Sequence, residues 1–224
     1  MAIVAELLLW MDPMERPGPE AMAVDEWLLE TAEQPVLRVY GWQGAWGTVG
    51  YFGKLADAGR AFPGVDWVRR WTGGGTVDHR ADWTYTLVVP AGFGMDQARG
   101  VESYRQVHGA LAEALVAEGV AARLSSGDEE TGLAACFQNP VGHDVMGPGG
   151  KKLAGAGQRR GKRGLLHQGS VALPCDDGMS LARGRRLAGV LAQRFEVAEI
   201  FPAEDEVRRL VAARYGNPVW TERR

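Results

Sequence analysis

A single mixed α/β domain is what this sequence of 224 residues predicts, and three observations carry it. Short β-branched and aromatic runs alternate along the chain with longer segments of helical period. Glycine and proline punctuate nearly every change of pattern. No internal repeat, low-complexity linker or composition shift marks a boundary, so the expected domain spans residues 1–224.

Taken in order, residues 7–10 read as a short strand, followed by a turn-rich segment with Pro13, Pro17, Gly18 and Pro19. A helix is expected over about 20–33, with Met22, Val24, Trp27 and Leu28 near helical spacing. Residues 36–40 form a strand, and the glycine- and aromatic-rich stretch 41–53 a loop or twisted hairpin able to wall a pocket. Strands follow at 65–70 and 83–89, the second ended by Pro90. The clearest helix runs over 103–118, where Tyr104, Val107, Leu111, Leu115 and Val116 share a face and Gly119 is a natural stop. That stripe reads as core, and His108 on it as a packing or surface residue. Residues 120–124 allow a strand, 125–132 a polar loop, and 164–173 a strand stopped by Pro174. Residues 175–178 read as a turn, and residues 180–195 show partial helical period. Pro202 introduces a last helix over about 203–215, with Gly216 after it.

Composition bounds the function. Hydrophobic residues make up 46% and charged residues 24%, with a net charge of -3, which gives no global pull toward nucleic acid or membrane. Lys151, Lys152, Arg159, Arg160, Lys162 and Arg163 crowd one segment without an acidic residue. It is either a solvated loop or a docking surface for an acidic partner. Cys136 and Cys175 are too few for a disulfide framework. The N-terminal apolar run is short and lacks a basic lead-in, and no stretch approaches a membrane span. A cytoplasmic protein is expected.

Two glycine-rich segments carry the candidate chemistry. Arg70 leads into Gly73, Gly74 and Gly75, with Asp78 and His79 beyond. A run without side chains leaves N–H groups able to face an anion or carbonyl, and Arg70 adds charge; a plain turn accounts for the same pattern. The Lys-Ser/Thr ending of a P-loop and the spacing of a dinucleotide fingerprint are both missing. The second segment begins at Cys136, in the apolar setting Ala134-Ala135-Cys136-Phe137. It passes through a Gly-Pro-Gly-Gly turn into Lys152-Leu153-Ala154-Gly155-Ala156-Gly157-Gln158, and ends in Leu166-His167-Gln168-Gly169-Ser170. A thiol, a lysine among small residues and a later histidine can together run acyl chemistry. A buried inert thiol at Cys136 and a surface lysine at Lys152 are the plainer alternatives; Cys175, in a turn, reads as incidental. The four histidines and two cysteines show no metal-ligand spacing.

With both segments in view, the chain resembles the biotin/lipoyl protein ligase and transferase family. Arg69-Arg70-Trp71-Thr72-Gly73-Gly74-Gly75-Thr76-Val77-Asp78-His79, followed by Trp83-Thr84-Tyr85-Thr86, resembles its first signature. The stretches 152–158 and 166–170 resemble the second signature of the lipoyl branch, and 22–26 and 37–42 match family habits. The ordered set covers most of the chain. It implies an α/β (α+β) catalytic domain with mixed, largely antiparallel sheets flanked by helices. Ala135-Cys136-Phe137, then Pro140, Asp144 and Lys152, is similar to the cysteine-dependent octanoyltransferase branch. Many ligases continue into an accessory domain, whereas this chain ends soon after its last helix, and no C-terminal accessory domain is expected. Departures from the pattern are also present. Gly75 stands where related transferases often have arginine, His143-Asp144 where ligases often have Asn-Asp, and Gln168 where a histidine is common, the histidine lying at His167 instead.

The resemblance implies that Cys136 takes octanoate from acyl carrier protein as a thioester and passes it to a lysine of a lipoyl domain, in a 2-oxoacid dehydrogenase or a glycine cleavage H protein. Lys152 and Cys136 would be the catalytic residues. Arg70, Gly73, Gly74, Gly75, His79, Gly155, His167 and Gly169 would bind the substrate. That route needs no cofactor and no metal. The alternatives are an ATP- and Mg-dependent lipoate–protein ligase working through an acyl-adenylate, and a non-catalytic protein that binds lipoyl domains or acyl groups. No nucleic-acid or membrane partner is implied.

Overall fold

The computed structural model describes residues 2–95, 98, 100–127 and 141–223. Its centre is an eight-stranded sheet in the order β11-β1-β2-β6-β10-β9-β8-β7. The strands are β1 (Val4–Met11), β2 (Val36–Tyr40), β6 (Trp83–Pro90), β7 (Arg123–Leu124), β8 (Val145–Met146), β9 (Lys152–Gly161), β10 (Gly164–Val171) and β11 (Ala192–Val197). β1 runs parallel to β2 and β11, and the remaining ladders of this sheet are antiparallel. A three-stranded sheet, β4 (Asp66–Arg69), β3 (Trp46–Val49) and β5 (Thr76–Asp78), stands beside it. The mixed, largely antiparallel class expected for the chain is the one observed.

Helices cover both faces of the large sheet. On one face α3 (Gly100–Ala117) and α4 (Asp177–Leu191) pack on Leu9, Leu37, Val39, Tyr85, Leu87, Leu165 and Val171. On the other, α1 (Gly18–Thr31) and α5 (Glu204–Leu210) pack on Trp10, Val36, Tyr40, Val88 and Leu166. The two lists interleave along each strand because successive strand side chains point to opposite faces. β6 and β10 are buried over their whole length, as inner strands covered on both sides must be, whereas β11 at the edge is largely exposed. Pro90 sits at the end of β6, where its missing N–H costs least.

Four elements differ from the sequence expectation. The stretch 41–53 is no hairpin: it holds β3, whose neighbours β4 (parallel) and β5 (antiparallel) both lie further along the chain. β9 was hidden because its ten residues are mostly glycine, alanine and charged residues, without a β-branched signal. Residues 192–195, expected to finish a helix, form β11 instead, because Ala192 and its successors pair with β1 in parallel. The last expected helix splits into α5 and a π-turn over Val211–Tyr215, closed by a Gly216 N–H bond to the Val211 carbonyl, and α6 (Pro218–Thr221) follows. A short helix, α2 (Leu55–Ala61), and the cap of α4 also went unread. Asp176, placed in a turn by the sequence, accepts from the Met179 N–H at 2.8 Å as that helix's N-cap.

The paired arginines at the end of β4 do different jobs. Arg69 has no exposure, and its guanidinium donates to the carbonyls of Gly50, Tyr51, Gly53, Trp220, Thr221 and Arg223. It ties the last residues of the chain to the loop after β3. Arg214 and Arg223 add stacking on Trp220, and Arg159 lies 4.0 Å over Trp71. The basic segment noted in the sequence is therefore no uniform docking surface. Arg159 is taken up by this stacking, Lys152 is buried, and Arg160 donates to the Met95 carbonyl, while Lys151, Lys162 and Arg163 are exposed.

Candidate active site

A narrow cleft opens where the small sheet meets β6, β10 and β9. Its lining is mainly apolar or without side chain, from Met22, Tyr40, Trp42, Val77, Gly155, Ala156 and Gly157, with Thr48, Arg70, His79, Thr84, Gln168 and Ser170 as polar points. Beside the cleft β9 packs main chain against main chain on the glycine turn, since a Cβ on Gly157 would lie 2.3 Å from the Gly73 carbonyl oxygen. On the other face of β10, Gly169 makes room for a ring, since a Cβ there would lie 2.2 Å from Tyr85 Cζ. Only glycine permits either approach.

Among the expected substrate-binding residues, Arg70, His79, Gly155 and Gly169 come together on this cleft. Gly73, Gly74 and Gly75 stand behind its lining. Their turn is less open than the sequence reading supposed, since the Gly73 N–H reaches the Gln158 carbonyl at 3.4 Å. Arg70, 5% exposed, braces the turn from inside, donating to the carbonyls of Gly73 (3.0 Å) and Gly75 (2.9 Å) and to the Thr48 hydroxyl (2.5 Å).

His79 is fixed on both sides. Its Nε2 is 2.8 Å from Thr48 Oγ1, its Nδ1 is 2.7 Å from Asp82 Oδ2, and its ring stacks on Trp42 at 4.3 Å. Asp82 also accepts from Ser170 and Thr84, so one carboxylate anchors the imidazole and two hydroxyls of the cleft.

His167 lies elsewhere. Alternation along β10 puts Gln168 and Ser170 toward the cleft and His167 toward α3, where it is fully buried. There it meets the Tyr85 hydroxyl at 3.1 Å and the Gln158 amide at 2.8 Å. Gln168 occupies the cleft position instead, accepting from Thr72 Oγ1 and donating to Asp25 Oδ2, each at 2.7 Å. Sequence reasoning missed Gln168, Ser170 and Thr48; the first two flank Gly169 and, two residues apart, share one face of β10, so strand alternation would have grouped them and set them opposite His167.

Lys152 opens β9 with its side chain 2% exposed and its Nζ 2.6 Å from Asp144 Oδ2. Asp144, fully buried, also accepts from the Tyr104 hydroxyl (2.6 Å) and the Val141 N–H (2.7 Å). Cys136 falls outside the described residues. Cys175 is a half-buried free thiol near the Asp176 carbonyl, and burial pushes its pKa up, which suits a thiol without chemistry. Among the described residues no cluster of three or more His, Cys, Asp or Glu side chains could hold a metal ion, and no helix is long and apolar enough to cross a membrane.

His108 on α3 is buried with its Nδ1 2.8 Å from the His143 carbonyl, and burial pushes its pKa down to about 4. His167 is lowered too, by burial first and by His108 second. Both are neutral when folded, whereas the unfolded chain takes up these protons near pH 6.5. Stability is therefore expected to fall as pH drops below about 6.5, by up to about 1.4 kcal/mol per pH unit for each group, until the folded-state pKa is reached. Urea unfolding of wild type and His108→Asn between pH 7 and 4.5 checks this. The variant should show the shallower slope, and equal slopes would remove His108 from the account.

The chain belongs to the lipoyl protein ligase A/B catalytic domain family, whose family model matches residues 17–199. It is 32% identical to the octanoyltransferase LipM of Symbiobacterium thermophilum, over 96% of this chain and 81% of that one. It is 35% identical to the octanoyltransferase LipM of Kyrpidia tusciae, over 69% of this chain and 62% of the relative. Its fold is similar to that of a putative lipoate protein ligase from T. acidophilum with bound lipoic acid, at a TM-score of 0.72, covering 99% of this chain and 100% of that one at 21% identity.

Proposed function

We propose that this protein is an octanoyltransferase of protein lipoylation, acting in the cytoplasm. It takes the acyl group from acyl carrier protein and delivers it to a lysine of a lipoyl domain. The carrying observation is the cleft, a narrow slot walled by glycine, alanine and apolar side chains, built on the strand that begins with Lys152. An unbranched acyl chain suits such a slot, and the octanoyltransferase relatives agree with it.

In this reading the Cys136 thiolate attacks the thioester carbonyl of octanoyl–acyl carrier protein. The tetrahedral intermediate collapses with cleavage of the donor C–S bond, and the carrier leaves as a thiol after taking a proton. The neutral amine of the acceptor lysine then attacks the acyl-Cys136 thioester. It loses a proton as the amide forms, and the Cys136 thiolate is released. Lys152 supplies positive charge for the thiolate and for the oxyanion of each intermediate. Arg70, Gly155, Gly169 and His79 bound the acyl slot, and Gly73, Gly74 and Gly75 brace it. Neither ATP nor a metal ion takes part.

The test is intact-mass measurement after incubation with octanoyl–acyl carrier protein. Wild type should gain one octanoyl group and Cys136→Ser none. Modification of a lipoyl domain that requires ATP and free acid, with no adduct on wild type, would favour the ligase reading. Failure of both reactions with retained lipoyl-domain binding would leave a binding protein.

A further inference from the structure

Helix α3 carries more than core. Tyr104 and His108, one turn apart on it, both face the segment that presents Asp144. The Tyr104 ring lies 4.1 Å from that of His108, and His108 in turn meets the carbonyl of His143. His143 is the single non-glycine residue with positive φ among the described residues, at 70°. Such a backbone costs free energy and persists where its neighbours hold it. Here the holding contacts are the His108 imidazole and the exchange of backbone bonds with Ser125, from Ser125 N–H to the Asp144 carbonyl and from His143 N–H to the Ser125 carbonyl. The turn they fix aims the Asp144 carboxylate at Lys152.

Tyr104 connects this carboxylate to the cleft. β8 pairs with β9 as far as Ala154. Beyond that point the β8 ladder ends, and the Ala156 N–H is met by the Tyr104 hydroxyl at 3.1 Å. The same hydroxyl donates to Asp144 Oδ1 at 2.6 Å, while Asp144 Oδ2 receives Lys152 Nζ at 2.6 Å. Ala156 lines the cleft. One phenol thus fixes the spacing between the acyl slot and the partner of the lysine. A buried ion pair holds its geometry only when further hydrogen bonds satisfy its carboxylate, and Tyr104 supplies one of the two others that Asp144 receives.

We propose that Tyr104 is a positioning residue for Lys152, setting the ammonium relative to the acyl slot through Asp144 and Ala156. The inference rests on the reading of Lys152 as the catalytic cation. Tyr104→Phe keeps the ring against His108 and removes only the hydroxyl. Steady-state octanoyl transfer from octanoyl–acyl carrier protein to a lipoyl domain should show kcat lower by about 10- to 100-fold with KM for both protein substrates nearly unchanged. A merely structural role would act equally in any background. In Lys152→Gln, by contrast, adding Tyr104→Phe should change the residual rate by no more than about twofold. Asp144→Asn, which also takes the counter-charge from the buried lysine, should lose at least as much as Tyr104→Phe, and adding Tyr104→Phe to it should cost no more than about a further twofold; thermal unfolding of Tyr104→Phe, run alongside, separates loss of fold from loss of positioning. Turnover of Tyr104→Phe within about twofold of wild type, or a full additional loss on top of Lys152→Gln, overturns the proposal. Full activity in Lys152→Gln sinks the lysine reading and this inference together, whereas an unaffected Tyr104→Phe beside an inactive Lys152→Gln sinks the inference alone.

Discussion

Lys152→Gln is expected to lower the turnover of octanoyl transfer by about 10²- to 10³-fold, the loss typical of removing one preorganised donor from an oxyanion site. Glutamine is the informative replacement. Asp144 is fully buried and receives Lys152 Nζ at 2.6 Å, and an alanine would leave that carboxylate without this partner. Breaking a buried pair in that way costs about 3–5 kcal/mol and would confuse folding with chemistry. The glutamine amide still donates toward Asp144 but carries no charge. Single-turnover formation of the acyl-enzyme, followed by mass at a temperature where the variant is shown by its unfolding curve to be folded, should slow with the overall rate. Wild-type turnover in this variant would take Lys152 out of the reaction.

The second large effect is on stability. Arg38 has no exposure and lies between the rings of Trp10 and Tyr40, at 5.3 and 3.9 Å from their centroids. Its guanidinium donates to Asp12 (3.0 and 2.8 Å), to Asp25 (2.6 Å) and to the Ala21 carbonyl (3.0 Å). Arg38→Met fills similar space but leaves the buried Asp25 carboxylate without its cation and Asp12 with Arg16 alone, and a loss of about 3–5 kcal/mol in urea unfolding is expected. The damage should extend to the cleft. Asp25 also receives Tyr40, Thr86 and Gln168, so its rearrangement frees the amide that lines the cleft. A loss below about 1 kcal/mol would mean that the two aspartates find other partners or take up protons on their own.

The sequence reading recovered the elements whose signal is local. α3 has a regular apolar stripe and β6 a run of β-branched and aromatic residues, so each declares itself. β9 does not, because a strand pressed against backbone on one side needs glycine and alanine, the residues that strand propensity counts against it. β11 follows α4 directly and takes its conformation from pairing with β1, a partner almost the whole chain away. The site divided along the same line. Arg70, His79, Gly155 and Gly169 stood in motifs and meet at the cleft, but a motif does not say which face a residue takes. His167 and Gln168 are neighbours in sequence that separate onto opposite sides of β10. Tyr104 was legible only as part of a helical stripe and Asp25 only within a stretch matching the family, since their roles exist only once helix and sheet are packed.

The contact of Gly157 with the Gly73 carbonyl bears on how such a slot can change. At that point the packing is main chain against main chain, and any side chain on Gly157 would push the glycine turn away from β9. The rest of the lining is free to vary, since Met22, Tyr40, Trp42 and Val77 each contribute a side chain. On the proposed acyl reading, exchange at those positions is how the preferred chain length would drift, while the glycine at 157 stays fixed.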